Sequence, residues 1–175
     1  MKILITGGCG FVGSNLAIYL KEKFKKSKIY TLDSLIRKGS RQNQKRLKKL
    51  KILNFNIDLS KNYKLKKIKK KFDLIIDCCA EPAINASSKD PNRVFDTNLI
   101  GTFNILKKCI KDKSNLIFLS SSRVYSIKKL REILKKSKIY KPLNIKKTIN
   151  ENFETSDPSS LYGFTKLASE KLIKE

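Results

Sequence analysis

The chain begins with a short apolar strand that runs directly into a glycine-rich turn, and this junction constrains the fold more than any other feature. Gly8, Gly10 and Gly13 match the pattern G-x-G-x-x-G, and Gly7, Gly10 and Gly13 also show a wider three-residue spacing. Glycines here let backbone N–H groups approach a phosphate, and the helix N-terminus that follows offers unpaired donors. The junction predicts a strand–turn–helix unit that holds the pyrophosphate of a nicotinamide dinucleotide. A purely structural turn is the alternative.

An acidic residue at the end of the second predicted strand supports the dinucleotide interpretation. Asp33 follows the apolar residues 29–32 and lies 20 residues after Gly13. At this point of a dinucleotide-binding unit, a carboxylate bonds the ribose 2′-hydroxyl and repels a 2′-phosphate. The sequence therefore favours NAD over NADP, although Arg37 and Lys38 weaken that preference.

Length and composition predict one domain, residues 1–175, in a reducing cytoplasm. The sequence has no apolar stretch of membrane-spanning length and no signal-peptide pattern. Its four cysteines lack C-x-x-C spacing, and Cys78 and Cys79 are predicted to be small buried side chains. The sequence has no histidine, so histidine-dependent triads, bases and metal sites are excluded and no metal is expected.

The net charge of +25 raises nucleic acid as a partner. The basic residues are mostly lysines scattered over nearly every polar segment, so no specific nucleic-acid interface is predicted. The densest run, residues 64–71, has Leu65 and Ile68 at helical spacing, with Phe72 following, and it predicts a solvated amphipathic helix.

Strand and helix patterns alternate along the chain, which predicts an α/β fold of Rossmann type: a doubly wound parallel sheet with helices on both faces. Further strands are predicted at about residues 52–57, 74–76 and 116–119, and helices at about 42–50, 91–111 and from 161 to the end. Residues 126–157 are predicted to be an irregular active-site loop or insertion. The helix over 91–111 is expected to bury Val94, Phe95, Leu99, Phe103, Leu106 and Ile110.

Two side chains on the last helix carry the candidate chemistry. Tyr162 and Lys166 are four residues apart and therefore lie one turn apart on the same face. An ammonium group near a phenol favours the ionised form of the phenol, which can then accept a proton. The pair follows a strand that ends in Ser120, Ser121 and Ser122.

These ordered motifs resemble the extended short-chain dehydrogenase/reductase superfamily, the nucleotide-sugar epimerases and dehydratases. The resemblance implies Tyr162 as catalytic base, Lys166 as its charged partner and ribose ligand, and Ser121 as the hydroxyl that meets the sugar. It also implies Asp33 on the ribose, Asp58 and Leu59 beside the adenine, and Asn98 as a supporting polar residue. The other cofactor contacts that it implies are Gly7, Gly10, Phe11, Val12, Gly13, Cys79 and Ala80.

Within the superfamily, residues 32–40, 77–82 and 122–127 resemble the CDP-paratose (CDP-tyvelose) 2-epimerase group. The resemblance implies hydride abstraction and return through a keto-sugar intermediate, with NAD as cofactor and a nucleotide-diphosphate sugar as substrate. Dehydratases of the superfamily carry an acid pair after the catalytic hydroxyl, whereas Ser122 and Arg123 stand here, which argues against dehydration. Members also continue past the Tyr-Lys helix into a substrate domain, so residues 1–175 are expected to be an incomplete, C-terminally truncated Rossmann domain.

Three classes of function therefore stay open. The first is an NAD-dependent epimerase that is whole only with a second polypeptide or within a longer chain. The others are a catalytically inactive NAD-binding remnant and a basic interaction protein. A homodimer is a further expectation, and no membrane partner is expected.

Overall fold

The computed structural model describes residues 1–82, 90–135, 149–158 and 160–175. Five strands form one parallel sheet in the order β3-β2-β1-β4-β5. Their bounds are β1 Lys2–Thr6, β2 Lys28–Asp33, β3 Leu53–Asn56, β4 Leu74–Asp77 and β5 Asn115–Phe118. The order reverses between β1 and β4, and a doubly wound sheet binds its ligands beyond the strand ends at such a point.

The helices follow the strands in alternation. They are α1 Phe11–Lys23, α2 Ser40–Lys49, α3 Asn62–Leu65, α4 Pro91–Phe95, α5 Gly101–Asp112, α6 Ile127–Lys135 and α7 Leu161–Lys174. One π-helical turn, Asp96–Ile100, joins α4 to α5, and a 3-10 turn, Ser122–Val124, follows β5. Ser160 caps α7, because its hydroxyl accepts a hydrogen bond from the Gly163 N–H at 3.1 Å.

The core has two halves because side chains alternate across the sheet. On one face, Ile3 and Ile5 of β1 pack with Ala17 of α1 and Leu47 of α2. On the other face, Leu4 packs in a cluster with Ile75 of β4, Leu65 of α3, Ile105 of α5 and Phe72. Helices therefore cover both faces of the sheet, and the predicted fold class is confirmed.

The lysine-rich helix predicted over 64–71 is wrong. Helix α3 ends at Leu65, and the chain continues through turns to β4. Leu65, Ile68 and Phe72 are nevertheless buried, as their spacing indicated. Lysines in consecutive turns repel one another and disfavour a continuous helix, so these apolar anchors hold the segment instead.

The long helix forms over 91–112, but its predicted apolar side is wrong in part. Val94 is buried, whereas Phe95 and Phe103 are exposed and Ile110 is 79% exposed. The side that faces the sheet carries mostly small and polar residues, namely Asn98, Gly101, Thr102 and Cys109, together with the apolar Ile105. This helix lies against strand ends and another helix, where small side chains allow close approach.

The segment 126–157 is not wholly irregular, since α6 occupies Ile127–Lys135. The remainder of the predicted loop lies partly outside the described residues. Where it is described again, the ring of Phe153 packs edge-on against Tyr125 with the centroids 5.6 Å apart. The Ser126 N–H also donates to the Glu154 carbonyl at 2.8 Å, which ties the loop back to the end of β5.

Candidate functional site

A cleft of about 360 Å³ opens beyond the carboxyl ends of the strands. Its walls come from the loops after β1, β2, β3 and β4 and from the first turns of the long helix. The predicted cofactor residues that line it are Gly7, Gly10, Asp33, Asp58, Leu59, Cys79 and Ala80. The cleft therefore gathers residues that are far apart in the sequence at the switch point of the sheet.

The glycine turn has no room for side chains. Gly7 has a φ of +58°, a region that L side chains rarely adopt. A Cβ added to Gly13 would lie 2.4 Å from the Gly7 carbonyl oxygen, and one added to Gly10 would lie 3.0 Å from the same atom. The turn fits a group that needs close backbone approach, such as a pyrophosphate.

The start of α1 is chemically suited to an anion. Gly10 occupies the N-cap position, so no side chain caps the helix, and its first turn contains no acid. The first N–H groups of such a helix lack internal partners and carry the positive end of its dipole. Phe11 is 83% exposed and Val12 is exposed beside the turn, outside the walls of the cleft, while Gly13 is buried behind it.

Two carboxylates from neighbouring strand ends are fixed in the cleft. Asp33 accepts hydrogen bonds from the Cys9 N–H at 3.1 Å and the Leu35 N–H at 2.8 Å, one on each oxygen. Asp58 accepts from the N–H and the hydroxyl of Ser60 at 2.9 and 2.8 Å. Each Asp33 oxygen keeps acceptor capacity, so this carboxylate can still receive a hydroxyl donor from a ligand.

Tyr162 and Lys166 lie one turn apart on α7, as their spacing predicted. Tyr162 is half-buried, whereas Lys166 is only 2% exposed, and its Nζ lies 3.9 Å from the centre of the Phe118 ring. Burial lowers the pKa of Lys166, and the nearby Asp77 carboxyl opposes that shift. An ammonium group with a lowered pKa is a stronger acid than that of an exposed lysine.

Gly163 brings this helix against the segment that carries Ser121. A Cβ at Gly163 would lie 2.4 Å from the Arg123 carbonyl oxygen, so only glycine permits this contact. Ser121 is half-buried, and its hydroxyl accepts a hydrogen bond from the Arg123 N–H at 3.1 Å. Ser121, Tyr162 and Lys166 therefore come from adjacent elements, but none of them lines the cleft described above.

Asn98 links the two parts of the site. It is buried in the π-helical turn, where its Oδ1 accepts from the Glu81 N–H at 2.7 Å. Its Nδ2 donates to the Thr165 hydroxyl at 3.1 Å, and Thr165 lies on α7 beside Lys166. Turns of this type occur frequently at functional sites. Its role as a supporting residue stays a prediction.

Asp77 was not anticipated as a site residue. This buried carboxyl at the end of β4 accepts from the Thr6 hydroxyl and from the Cys79 N–H at 3.2 Å. The Thr102 hydroxyl lies 2.7 Å from the Asn98 carbonyl oxygen and 3.3 Å from Asp77 Oδ2. Its single hydrogen is better placed for the carbonyl, so its contact with Asp77 is the weaker of the two. Burial raises the pKa of Asp77, while the hydrogen bonds from Thr6, Cys79 and Thr102 and the charge of Lys166 act in the opposite direction.

The four cysteines are free thiols. Cys78 and Cys79 are half-buried in the wall of the cleft and pack against the two core clusters, so the expectation that they are small buried side chains is wrong in part. Burial and the nearby Asp77 raise the pKa of Cys78 to about 12. The thiol is therefore protonated near neutral pH and is a poor nucleophile.

Glu81, Arg37 and Arg93 form an ion-pair cluster at the cleft that the sequence did not reveal. The sequence pointed to Glu81 only through its position next to Ala80, a predicted cofactor residue in the loop after β4. Within the described ranges, no group of three potential metal ligands occurs. No helix in those ranges is long and apolar enough to cross a membrane.

A protein-family model described as "NAD dependent epimerase/dehydratase family" matches residues 3–175. Among curated proteins, the chain is 38% identical over 130 residues to the dTDP-D-glucose 4,6-dehydratase of Dictyostelium discoideum, a match that covers 71% of this chain and 30% of that protein. It is 32% identical over 130 residues to the CDP-paratose 2-epimerase of Salmonella typhi, covering 71% of this chain and 38% of that protein.

Among solved structures, the UDP-Glc/GlcNAc 4-epimerase of Campylobacter jejuni superposes with a TM-score of 0.77 at 25% identity. This match covers 99% of the present chain and 48% of that structure. The chain therefore spans less than half the length of these relatives. The superposed part carries the sheet and the Tyr-Lys helix.

Proposed function

We propose a function from one premise: the chain belongs to the NAD-dependent epimerase/dehydratase family, whose model it matches over residues 3–175. It is the NAD-binding part of a nucleotide-sugar epimerase similar to the CDP-paratose 2-epimerases. The observation that carries the proposal is the cleft, where a glycine turn without room for side chains faces two fixed carboxylates. NAD, when bound, supplies the acceptor and donor of a hydride.

The chain's own residues would bind the cofactor and move one proton. Backbone N–H groups at the start of α1 would hold the pyrophosphate, Asp33 the ribose, and Asp58 with Leu59 the adenine side. Tyr162 would take the proton of the reacting sugar hydroxyl and later return it, while Ser121 would bond the same oxygen. Lys166, one turn after Tyr162 on the same helix, would favour the ionised phenol and contact the second ribose.

Epimerisation is favoured over dehydration by the residues after Ser121. Ser122 and Arg123 stand where the resemblance to dehydratases would require an acid pair. The dehydratase of Dictyostelium discoideum is nevertheless among the relatives, so elimination is the second candidate activity. The sugar and the reacting carbon would be decided by a substrate-binding part that corresponds to the portion of the relatives outside the matched regions.

Three proposals concern the partners and the location. A second polypeptide or a continuing chain would complete the substrate site, because the matched regions cover less than half of each relative's length. A homodimer is supported by exposed apolar side chains on the long helix, namely Phe95, Phe103 and Ile110. Four free thiols support a reducing cytoplasm.

The test has two stages. Calorimetric titration with NAD decides whether the chain binds cofactor, and incubation with CDP- and UDP-sugars then reports whether nicotinamide is transiently reduced. Tyr162→Phe should keep NAD affinity while turnover in an active assembly falls by about 10²- to 10⁴-fold. Tyr19→Phe is the matched control, because its exposed hydroxyl lies on α1 and bonds Lys23.

The outcomes separate the three classes. Binding with turnover supports the epimerase, and binding without turnover under any complementation supports the inactive remnant. If the chain does not bind NAD at all, the basic interaction protein is favoured. Near-normal turnover of Tyr162→Phe would mean that the proton moves through another group.

A further inference from the structure

One carboxylate in the wall of the cleft holds two arginines from different loops. Glu81, just beyond β4, is 7% exposed. Its Oε1 contacts Nη2 of Arg37, from the loop after β2, and its Oε2 lies 3.1 Å from Nε of Arg93 on α4. Both arginines line the cleft and keep about half of their side-chain surface exposed.

The side chain of Asn98 fixes the position of the Glu81 backbone. The Glu81 N–H donates to Asn98 Oδ1 at 2.7 Å, and the Glu81 carbonyl oxygen lies 3.4 Å from Asn98 Nδ2. Asn98 is itself buried and bonded to Thr165 on α7. The Glu81 carboxylate is therefore an anchored anion, and Arg37 is the mobile member of the pair because its side chain is long and half exposed.

Arg37 stands where it could change cofactor choice. It lies four residues after Asp33 and shares the same cleft. An arginine near this acid is the group that accommodates the 2′-phosphate of NADP in dinucleotide-binding folds. Here its guanidinium charge is instead matched by Glu81. A guanidinium so engaged must break a charge-assisted hydrogen bond before it can bind a phosphate.

We propose that Glu81 is a specificity-determining residue that keeps Arg37 away from a 2′-phosphate, and so helps the cleft to reject NADP. The inference rests on the NAD binding proposed above and extends it to a residue outside the ribose contact. Glu81 acts through Arg37 and is a positioning residue. Without its carboxylate, Arg37 and Arg93 would lose the anion between them, and Arg37 would be free to meet an incoming phosphate.

The experiment measures NADH and NADPH dissociation constants of the full chain by nicotinamide fluorescence. Glu81→Gln keeps the side-chain shape and the backbone bonds to Asn98. It should raise NADPH affinity relative to NADH by about tenfold, the effect of one released charge-assisted hydrogen bond. Arg37→Met added to Glu81→Gln should abolish the gain, whereas Arg93→Met added to it should not. Glu22→Gln, on exposed α1 surface, is the charge-matched control and should leave the ratio unchanged.

Arg37→Met in the otherwise unchanged chain provides a measurement that does not depend on the folding of Glu81→Gln. Because Arg37 is already engaged by Glu81, the ratio of NADPH affinity to NADH affinity should stay within about twofold of the wild-type ratio. The double-mutant cycle of Arg37→Met and Glu81→Gln then measures the coupling between these two residues. A clear loss of NADPH affinity in this single variant would overturn the proposal. The proposal would also be overturned if Glu81→Gln left the ratio of NADPH affinity to NADH affinity unchanged while the wild type binds NADH. The proposed function would survive either result. A wild type that binds neither cofactor overturns the proposed function and this inference with it.

Discussion

Asp77 is a buried carboxyl whose protonation couples stability to pH. Burial raises its pKa, so the folded chain keeps this proton where the unfolded chain has released it. Its contribution to the free energy of unfolding is therefore complete below the ordinary carboxyl pKa of about 4 and is lost as pH rises through the raised value. Lys166 partly offsets the shift through its positive charge.

Asp77→Asn should remove this pH dependence. Asparagine can accept from Thr6 and Cys79 through its Oδ1 and can donate to the Thr102 hydroxyl through its Nδ2, and it does not titrate. Urea unfolding at several pH values should show the variant gaining stability relative to wild type as pH rises from acid to weakly alkaline. A difference between the two proteins that stays constant over this range would contradict a shifted Asp77.

Lys166 and Lys108 are both buried lysines, and they offer a matched pair of substitutions. Lys166→Met keeps the packing over Phe118 and removes a charge that burial disfavours, so stability should change little or rise. NAD affinity should fall by about tenfold, because one charged hydrogen bond to the ribose is lost.

Lys108→Met should lower the stability of the chain and leave its NAD affinity unchanged. Lys108 bonds the Asp112 carboxylate at 2.6 Å and the Lys70 carbonyl at 2.8 Å, away from the cleft. Its removal leaves a buried carboxylate without its cation, which costs about 3 kcal/mol. Thermal unfolding and calorimetry on both variants would separate the effects. Unchanged NAD affinity in Lys166→Met would refute its place on the ribose.

At the scale of elements, the contact between α7 and the 3-10 turn depends on one glycine. Gly163→Ala places a Cβ against the Arg123 carbonyl oxygen and should cost about 1–3 kcal/mol through overpacking. Gly101→Ala is the helical control, since its Cβ would lie 3.3 Å from the Leu59 Cβ and 3.6 Å from the Asp96 carbonyl oxygen, and alanine favours the helix. Urea unfolding of the two variants should differ clearly. Equal stabilities would mean that the turn moves freely away from α7.

The sequence predicts the strands of this molecule better than its helices. The uninterrupted apolar run in β4 is typical of a central strand that is buried on both faces, and the glycine turn after β1 marks a strand that leads into a helix. These two features are enough to predict the parallel sheet. Helix α6 was missed although Ile127, Leu130 and Leu134 recur at helical spacing, since the polar residues around them suggested a loop. The exposed Ile110 shows why faces are harder to predict: the neighbour that a helix packs against is set by tertiary structure.

The site residues also divide into those that the local sequence predicts and those that depend on tertiary structure. Gly7, Gly10 and Asp33 are identifiable because the turn and the strand end are local features of the sequence. Asp77, Glu81 and their partners were missed because each depends on residues that are distant in sequence, as in the contact between Glu81 and Arg37. Buried polar contacts of this kind leave no periodic signal.

At the scale of the whole molecule, charge is distributed unevenly. All fifteen acids lie in the described ranges, and five of them line the cleft, namely Asp33, Asp58, Glu81, Asp90 and Asp96. Of the bases in the described ranges, Arg37, Lys61 and Arg93 line it. The cleft is thus acidic within a strongly basic chain, so the surface and the cleft should respond differently to salt.

This contrast gives a test of the basic-interaction alternative. A polyanion such as duplex DNA should bind the lysine-rich surface at low salt without sequence preference, and its affinity should fall by about 10³-fold or more between roughly 50 and 200 mM salt if six or more phosphates are contacted. NAD affinity should change by no more than about threefold over the same range, because the proposed ligands are backbone N–H groups, Asp33 and the buried Lys166 rather than the exposed lysines. Fluorescence titrations of both ligands at matched salt would measure the two slopes, with NAD added to preformed DNA complexes as a competition control. DNA binding that keeps a sequence preference at high salt, or NAD binding as salt-sensitive as DNA binding, would favour the interaction protein over the enzyme.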